Sequence, residues 1–224
     1  MTSTRTLPRL AALTMLSAAL AILAALGALP ATLQFLFKPL TTLLVIAHAW
    51  RRGASAPRQR RLILLGLVLS LGGDVALLWP RQGFLPGLVA FLLAHLAYIA
   101  AFCVPVRLAA RPVAFVLYAL IALTILSQLW PGIPGGLQAP VVAYVVCLAT
   151  MAAQALVWWR ASTPLDAALA RRAALGGALF MVSDGLLATN KFGAALPLAA
   201  LGILASYWLA QWCIASALRA PTSP

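Results

Sequence analysis

The chain has 224 residues, of which 64% are hydrophobic and 8% charged, and its mean hydropathy is +1.01. Soluble domains average about 45–50% apolar and about 25% charged residues, so a soluble globular fold is excluded and a polytopic membrane protein is expected. The net charge of +13 points to no nucleic acid, because the arginines stand in short clusters between apolar runs, where they set topology and attract anionic lipid headgroups.

Eight apolar runs follow in order, bounded by Pro, Gly or Arg: about 10–29, 33–50, 62–79, 84–104, 112–130, 139–159, 172–190 and 196–217. At about 20 residues per span they predict an all-α bundle of eight transmembrane helices, a single integral membrane domain over residues 1–224. The first run follows Arg5 and Arg9 as a signal peptide would, but it exceeds the usual apolar core of roughly 7–15 residues and reads as a span. Arg5, Arg9, Arg51, Arg52, Arg58, Arg60, Arg61, Arg107, Arg111, Arg160, Arg171, Arg172 and Arg219 fall on one side of this arrangement. Lys38, Arg81 and Lys191 fall on the other. The positive-inside rule then predicts cytoplasmic termini, in the inner (cell) membrane of a bacterium. The longest basic loop, Arg51 to Arg61, is only a connector, so chemistry belongs within the bundle or at its rim. Cys103, Cys147 and Cys213 show no metal or redox spacing and read as small buried side chains.

The informative residues are polar ones inside these runs. Lys38 precedes Pro39 near the outer end of the second helix. Asp74 follows Gly72-Gly73 in the third, roughly 8 Å from its outer end at about 1.5 Å per residue. His95 and Tyr98 share a face of the fourth helix at i and i+3. Asp184 lies in the seventh at a similar depth, before Asn190 and Lys191, and Tyr207 and Gln211 share a face of the eighth. The chain has three acidic residues, and the third, Asp166, sits in a polar loop where it is expected to cap the next helix. Structural readings exist for each: Lys38 as a snorkelling interface residue, His95 and Tyr98 as interhelical hydrogen bonders, an Asp–Lys pair as glue. The two aspartates are the hardest to dismiss, since a charge within hydrocarbon costs at least about 2.5–3.5 kcal/mol. Leu65-Gly66 with Asp74 and Leu77 repeats as Leu175-Gly176 with Asp184 and Leu187 at a constant offset, a weak hint of two four-helix halves.

No Ser–His–Asp order, His-Glu-x-x-His or phosphate-binding glycine loop is present. Two carboxyl groups in apolar surroundings suit acid–base work in which one donates a proton and the other activates water or stabilises a developing cation. That chemistry fits acid-assisted cleavage of an ether-like bond through an oxocarbenium ion. A transporter using the same aspartates as a proton relay, with helices broken at Gly72-Gly73 and Gly176-Gly177, is the main rival. A non-catalytic scaffold is the third reading.

At these residues the chain resembles the YhhN/TMEM86 family of polytopic membrane proteins, whose characterised members are lysoplasmalogenases. The resemblance rests on Lys38-Pro39-Leu40, Gly73-Asp74, Phe91-Leu92-x-x-His95-x-x-Tyr98, Ser183-Asp184 and Tyr207-x-x-x-Gln211, spread from about residue 33 to 215. It implies an eight-span hydrolase that cleaves the vinyl ether bond of lysoplasmalogens to a fatty aldehyde and a glycerophospho-alcohol, with a lysophospholipid substrate, membrane lipid around it, and no metal or organic cofactor. Asp74 and Asp184 are then the expected acid/base pair, assisted by His95 and Tyr98. Lys38, Asn190, Tyr207 and Gln211 are the expected substrate contacts.

Overall fold

The computed structural model describes residues 6–79 and 81–220, and all regular structure among them is helical. The helices are α1 (Thr6–Ala25), α2 (Gln34–Trp50), α3 (Pro57–Ala76), α4 (Phe84–Phe102), α5 (Val113–Leu129), α6 (Gly135–Ala161), α7 (Ala167–Phe192) and α8 (Ala199–Ala215). Arg5 lies outside the described residues.

Among the described residues eight α-helices are found where eight are expected, with boundaries that differ for physical reasons. Apolarity marks the stretch that avoids water, whereas helical hydrogen bonding runs on past it. Thus α3 opens at Pro57, which occupies the first turn where its missing N–H costs nothing, and it takes Arg58, Arg60 and Arg61 into its first two turns. Likewise α6 and α7 begin four and five residues earlier than expected, at Gly135 and Ala167. At the other extreme α1 stops at Ala25, and Gly27 then adopts φ +78, the left-handed turn that ends many helices. The glycine pairs at 72–73 and 176–177 break neither α3 nor α7. Asp166 occupies the N-cap position of α7 but makes no capping hydrogen bond. Its carboxylate is drawn instead to Arg219, 2.5 Å away, because a charged partner outbids a backbone amide.

Among the described residues, five segments are long and apolar enough to cross a membrane: Ala31–Trp50, Phe84–Phe102, Val113–Gly132, Gly135–Ala161 and Ala167–Phe192. Two further apolar helices, Arg9–Ala25 and Ala199–Ala215, are shorter, and α3 has only Leu62–Ala76 beyond its arginines. The exterior is apolar, with Leu93, Val116, Leu120, Leu123, Val146 and Leu209 exposed, while Thr42, Ser70, Asp74, His95, Gln154 and Gln211 are buried. This inside-out distribution is the solution for a bundle solvated by lipid.

Helices α2, α3, α4, α6, α7 and α8 pack in that order into a ring that α8 closes against α2. Helix α1 leans on α2 and α8, and α5 lies outside against α6. Small residues let the backbones close up, as lipid-embedded helices require. A Cβ at Gly66 would come 2.3 Å from the Tyr98 ring of α4, and one at Gly176 would come 2.9 Å from the Ala210 carbonyl of α8. Each glycine lies eight residues before an aspartate and admits the helix that follows its own, so the two repeated stretches play the same packing role.

End-to-end contacts fix which helix ends lie together. At one end Phe35 meets Trp79 and Phe84 meets Phe192. At the other Gln59 of α3 donates to the Ala101 carbonyl of α4, and Arg52 after α2 donates to the Leu218 carbonyl after α8. The buried Gln154 amide of α6 holds the α4–α5 connection there, through Val106 and Arg107 carbonyls and the Ala109 amide. The described arginines therefore gather at one end, apart from Arg81, and Lys38 and Lys191 stand at the other.

Candidate functional site

At the lysine-bearing end the ring encloses a cavity of about 420 Å³, within the ordinary range of about 300–1,000 Å³ for small-molecule pockets. Asp74 and Asp184 both line it, as do Lys38, Tyr207, Tyr144 and Asn190. Two carboxyl groups more than a hundred residues apart in sequence thus face one space. Gln34, Ser183 and Lys191 also line it, and the rest of the wall is apolar, with Leu126, Leu129, Val141, Val145, Leu148 and Met181 forming a greasy arm between α5, α6 and α7.

Asp74 sits in the last turn of α3, nearer its helix end than expected, because α3 stops at Ala76. It is 1% exposed. Its Oδ2 accepts from the Thr42 hydroxyl at 2.6 Å and the Tyr207 hydroxyl at 2.7 Å, while its Oδ1 lies 3.8 Å from Lys38 Nζ. Lys38 is buried and turns inward to this carboxylate rather than snorkelling outward. Burying an ion pair is tolerable only when the remaining lone pairs are satisfied, and the two hydroxyls do that. Behind them Trp208 Nε1 donates to Thr42 Oγ1 at 3.2 Å, which holds the threonine hydroxyl toward Asp74.

Tyr207 heads a longer chain. Tyr98 donates to Gln211 Oε1 at 2.7 Å, Gln211 Nε2 donates to the Tyr207 oxygen at 3.2 Å, and Tyr207 donates to Asp74. Every donor points the same way, an arrangement in which each bond polarises the next. The chain crosses from α4 to α8 to α3. Tyr98 and Gln211 do not line the cavity but lie beneath its floor, both fully buried.

Asp184 has different company. It accepts a short hydrogen bond from Tyr144 of α6, and no cation among the described residues reaches it within salt-bridge distance. Ser183 beside it also borders the cavity and donates to the Ile203 carbonyl, stapling α7 to α8. His95 is fully buried behind Tyr144, edge-on to Phe180 at 4.9 Å between ring centres. It is absent from the cavity wall, and neither ring nitrogen has a partner among the described residues. Asn190 lies at the mouth, where its Oδ1 accepts from the Leu196 amide at 3.0 Å and ties down the α7–α8 connection. Lys191, beside it, is exposed with Nζ 4.1 Å from the centre of the Phe84 ring.

Of the residues singled out from sequence, Asp74, Asp184, Lys38, Tyr207 and Asn190 thus share the cavity, whereas His95, Tyr98 and Gln211 lie behind it. Thr42, Tyr144 and Trp208 were missed. A lone Thr, Tyr or Trp in an apolar run is an ordinary packing residue, and no local spacing distinguishes these three from the others. A buried tyrosine needs a hydroxyl partner, so the tyrosines were the one class from which Tyr144 was recoverable.

The fold and pocket together define an integral membrane protein with a carboxylate-lined chamber reached from one end of its bundle. The chain belongs to the YhhN family, whose match covers residues 33–218. Similar proteins include "Lysoplasmalogenase TMEM86B" of Mus musculus, 35% identical over 196 residues that make up 86% of this chain and 78% of that protein. "Lysoplasmalogenase TMEM86A" of Homo sapiens is 34% identical over 180 residues, 77% of this chain and 71% of its own. "Lysoplasmalogenase" of Mycobacterium tuberculosis (strain CDC 1551 / Oshkosh) is 33% identical over 169 residues, 72% and 61% of the two chains. No solved structure matches the chain.

Proposed function

We propose that the protein is a membrane hydrolase that cleaves the vinyl ether bond of lysoplasmalogen-type lysophospholipids, releasing a fatty aldehyde and a glycerophospho-alcohol. The observation that carries this reading is the placement of Asp74 and Asp184 on one cavity with an apolar arm. The names of the relatives agree with it.

The two carboxyl groups differ in compensation. An Asp74 carboxylate has an ammonium and two hydroxyl donors around it; among the described residues Asp184 has one hydroxyl donor and no cation in reach. The less compensated group is the one suited to carry the proton. Asp184 accordingly delivers its proton to the alkenyl carbon β to the ether oxygen, and the α carbon becomes an oxocarbenium ion. Asp74 stabilises that cation and takes a proton from the water that adds to it. The hemiacetal then collapses: its hydroxyl proton passes to Asp184, the carbon–oxygen bond to glycerol breaks, and the alcohol leaves with the proton that Asp74 took from water. One water is consumed and both carboxyl groups regain their starting states.

Lys38 holds Asp74, so the headgroup phosphate meets the exposed Lys191 beside Asn190 at the mouth, and the chain lies along the apolar arm. His95 and Tyr98 act from behind as positioning residues for Tyr144 and Tyr207. The basic end of the bundle faces the cytoplasm of a bacterial inner membrane with the cavity opening toward the outer leaflet, a sidedness supported by the arginine asymmetry. The fully buried Tyr98, Phe102, Phe180 and Gln211 below the cavity favour a closed reaction chamber over a carrier's alternating path.

The test is aldehyde release by detergent-purified protein from an alkenyl lysophospholipid, with the saturated alkyl-ether analogue as control. Hydrolysis of the first alone is expected. Failure to release aldehyde from alkenyl lysolipids of either ethanolamine or choline headgroup sinks the proposal.

A further inference from the structure

The opposite end of the bundle contains a second cavity, which the proposed hydrolysis does not use. It measures about 470 Å³ and is lined by Arg52, Arg172, Trp212, Cys213, Ser216 and Ala220. Three helix ends meet there: the end of α2, the start of α7 and the end of α8. The arginine that follows α2 is unusual for a topology signal, since Arg52 is only 7% exposed, whereas residues that merely set sidedness stay in water. Its Nε donates to the Leu218 carbonyl at 3.0 Å, and Arg172 Nη1 donates to the Ser216 carbonyl at 3.1 Å.

Those two bonds cap the carbonyls at the end of α8, and capping would account for one donor on each arginine. A guanidinium carries five N–H donors in a planar fork. The remaining donors of Arg52 and Arg172 have no hydrogen-bond partner among the described residues, and no described carboxylate pairs with either. Both side chains front the same cavity. Burial, with the Arg172 charge beside it, pulls the Arg52 guanidinium below its ordinary value. Two like charges front one chamber with unspent donors, and paired arginine forks match the oxygens of a phosphate group. Ser216 adds a hydroxyl to the rim and Trp212, stacked on His48 at 4.0 Å, a flat apolar wall.

We propose that this basic chamber binds a phosphate group between Arg52 and Arg172, borne by an anionic lipid headgroup or by a soluble phosphate compound. The anion ties the ends of α2, α7 and α8 together. The site is separate from the hydrolytic cavity and does not depend on the activity assigned there.

The experiment measures the unfolding midpoint of the full-length protein in detergent with inorganic phosphate or glycerol phosphate, against chloride at matched ionic strength. A parallel arm adds phosphatidic acid or phosphatidylcholine to the micelles. A saturable rise of about 3 °C or more is expected from at least one phosphate probe. Each arginine also holds one carbonyl, and because Arg52 is buried Arg52→Gln can fail to fold; the deciding variant is the exposed Arg172→Gln, which should raise the half-saturating concentration at least about tenfold, as for a lost charge-assisted contact. A response to phosphatidic acid alone identifies a lipid headgroup; one to the soluble anions identifies a soluble ligand; either supports the site. No rise with any phosphate probe, or a rise that Arg172→Gln leaves unchanged, overturns it.

Discussion

Replacing Asp74 by Asn separates chemistry from packing, because the structure sets what each atom loses. The amide keeps one oxygen, which can still accept from Thr42 and Tyr207, now 2.6 and 2.7 Å from Oδ2. Its NH2 then faces Lys38 at the position of Oδ1, 3.8 Å from Nζ. The lysine loses its counter-charge while remaining inside the bundle. Removing one partner of a buried ion pair costs about 3–5 kcal/mol, and the long separation argues for the low end, about 3 kcal/mol. At about 2–4 °C per kcal/mol for a chain of this size, the unfolding midpoint should fall by about 6–12 °C. Turnover should fall by about 10²–10⁴-fold, the usual contribution of a general acid or base. The double variant Lys38→Met/Asp74→Asn removes both charges, and most of the lost stability should return with no recovery of turnover. Melting in detergent and aldehyde release, measured on all four members of the cycle, give both answers. Turnover in Asp74→Asn within about threefold of the parent would remove Asp74 from the mechanism, since even a weak general catalyst contributes more. A double variant as unstable as the single one would show that Lys38 and Asp74 are not coupled.

Tyr144→Phe removes the one hydroxyl donor to Asp184 among the described residues; that bond strengthens as Asp184 gives up its proton, and a bond to a charged group is worth about 1.5–3 kcal/mol, so kcat should fall about 10–100-fold with KM nearly unchanged, and a rise in KM alone would contradict this. His95→Phe preserves the packing against Phe180 while deleting two unpartnered buried nitrogens. It should leave the unfolding midpoint equal or higher and reduce kcat less than tenfold by comparison with about 10²-fold or more for Asp184→Asn, whereas an equal loss would make His95 catalytic. Gly66→Ala places a methyl 2.3 Å from the buried Tyr98 ring; overpacking of about 1–3 kcal/mol exceeds the gain in helix propensity of up to about 1 kcal/mol, so the midpoint should drop. Gly72→Ala meets nothing within 4 Å and should raise it, and the same sign for both would refute the close approach of α3 and α4. Asp166→Asn breaks an exposed pair with Arg219 worth about 0–1 kcal/mol, and melting should shift by no more than about 4 °C.

The class of the protein was legible in its composition, because lipid solvates apolar side chains indiscriminately and eight long runs of them leave little other choice. The order of the helices and the gathering of arginines at one end were legible for a similar reason: each run must turn back within a short loop. Asp74 and Asp184 also stood out one at a time, since a carboxyl group in an apolar run has no inexpensive structural excuse. What no run of residues discloses is which helices become neighbours. That depends on where helices can approach, as at Gly66 and Gly176, and it brought Thr42 and Tyr207 to Asp74, gave Tyr144 to Asp184, and left His95 behind the wall. It also turned Lys38 inward to a carboxylate, brought Arg52 after α2 and Arg172 of α7 to a second chamber, and drew Asp166 from its helix cap to Arg219. Hydrophobic patterning reports how far each side chain must keep from water. Partnership is decided by packing across the bundle, where the nearest donor is seldom the nearest in sequence.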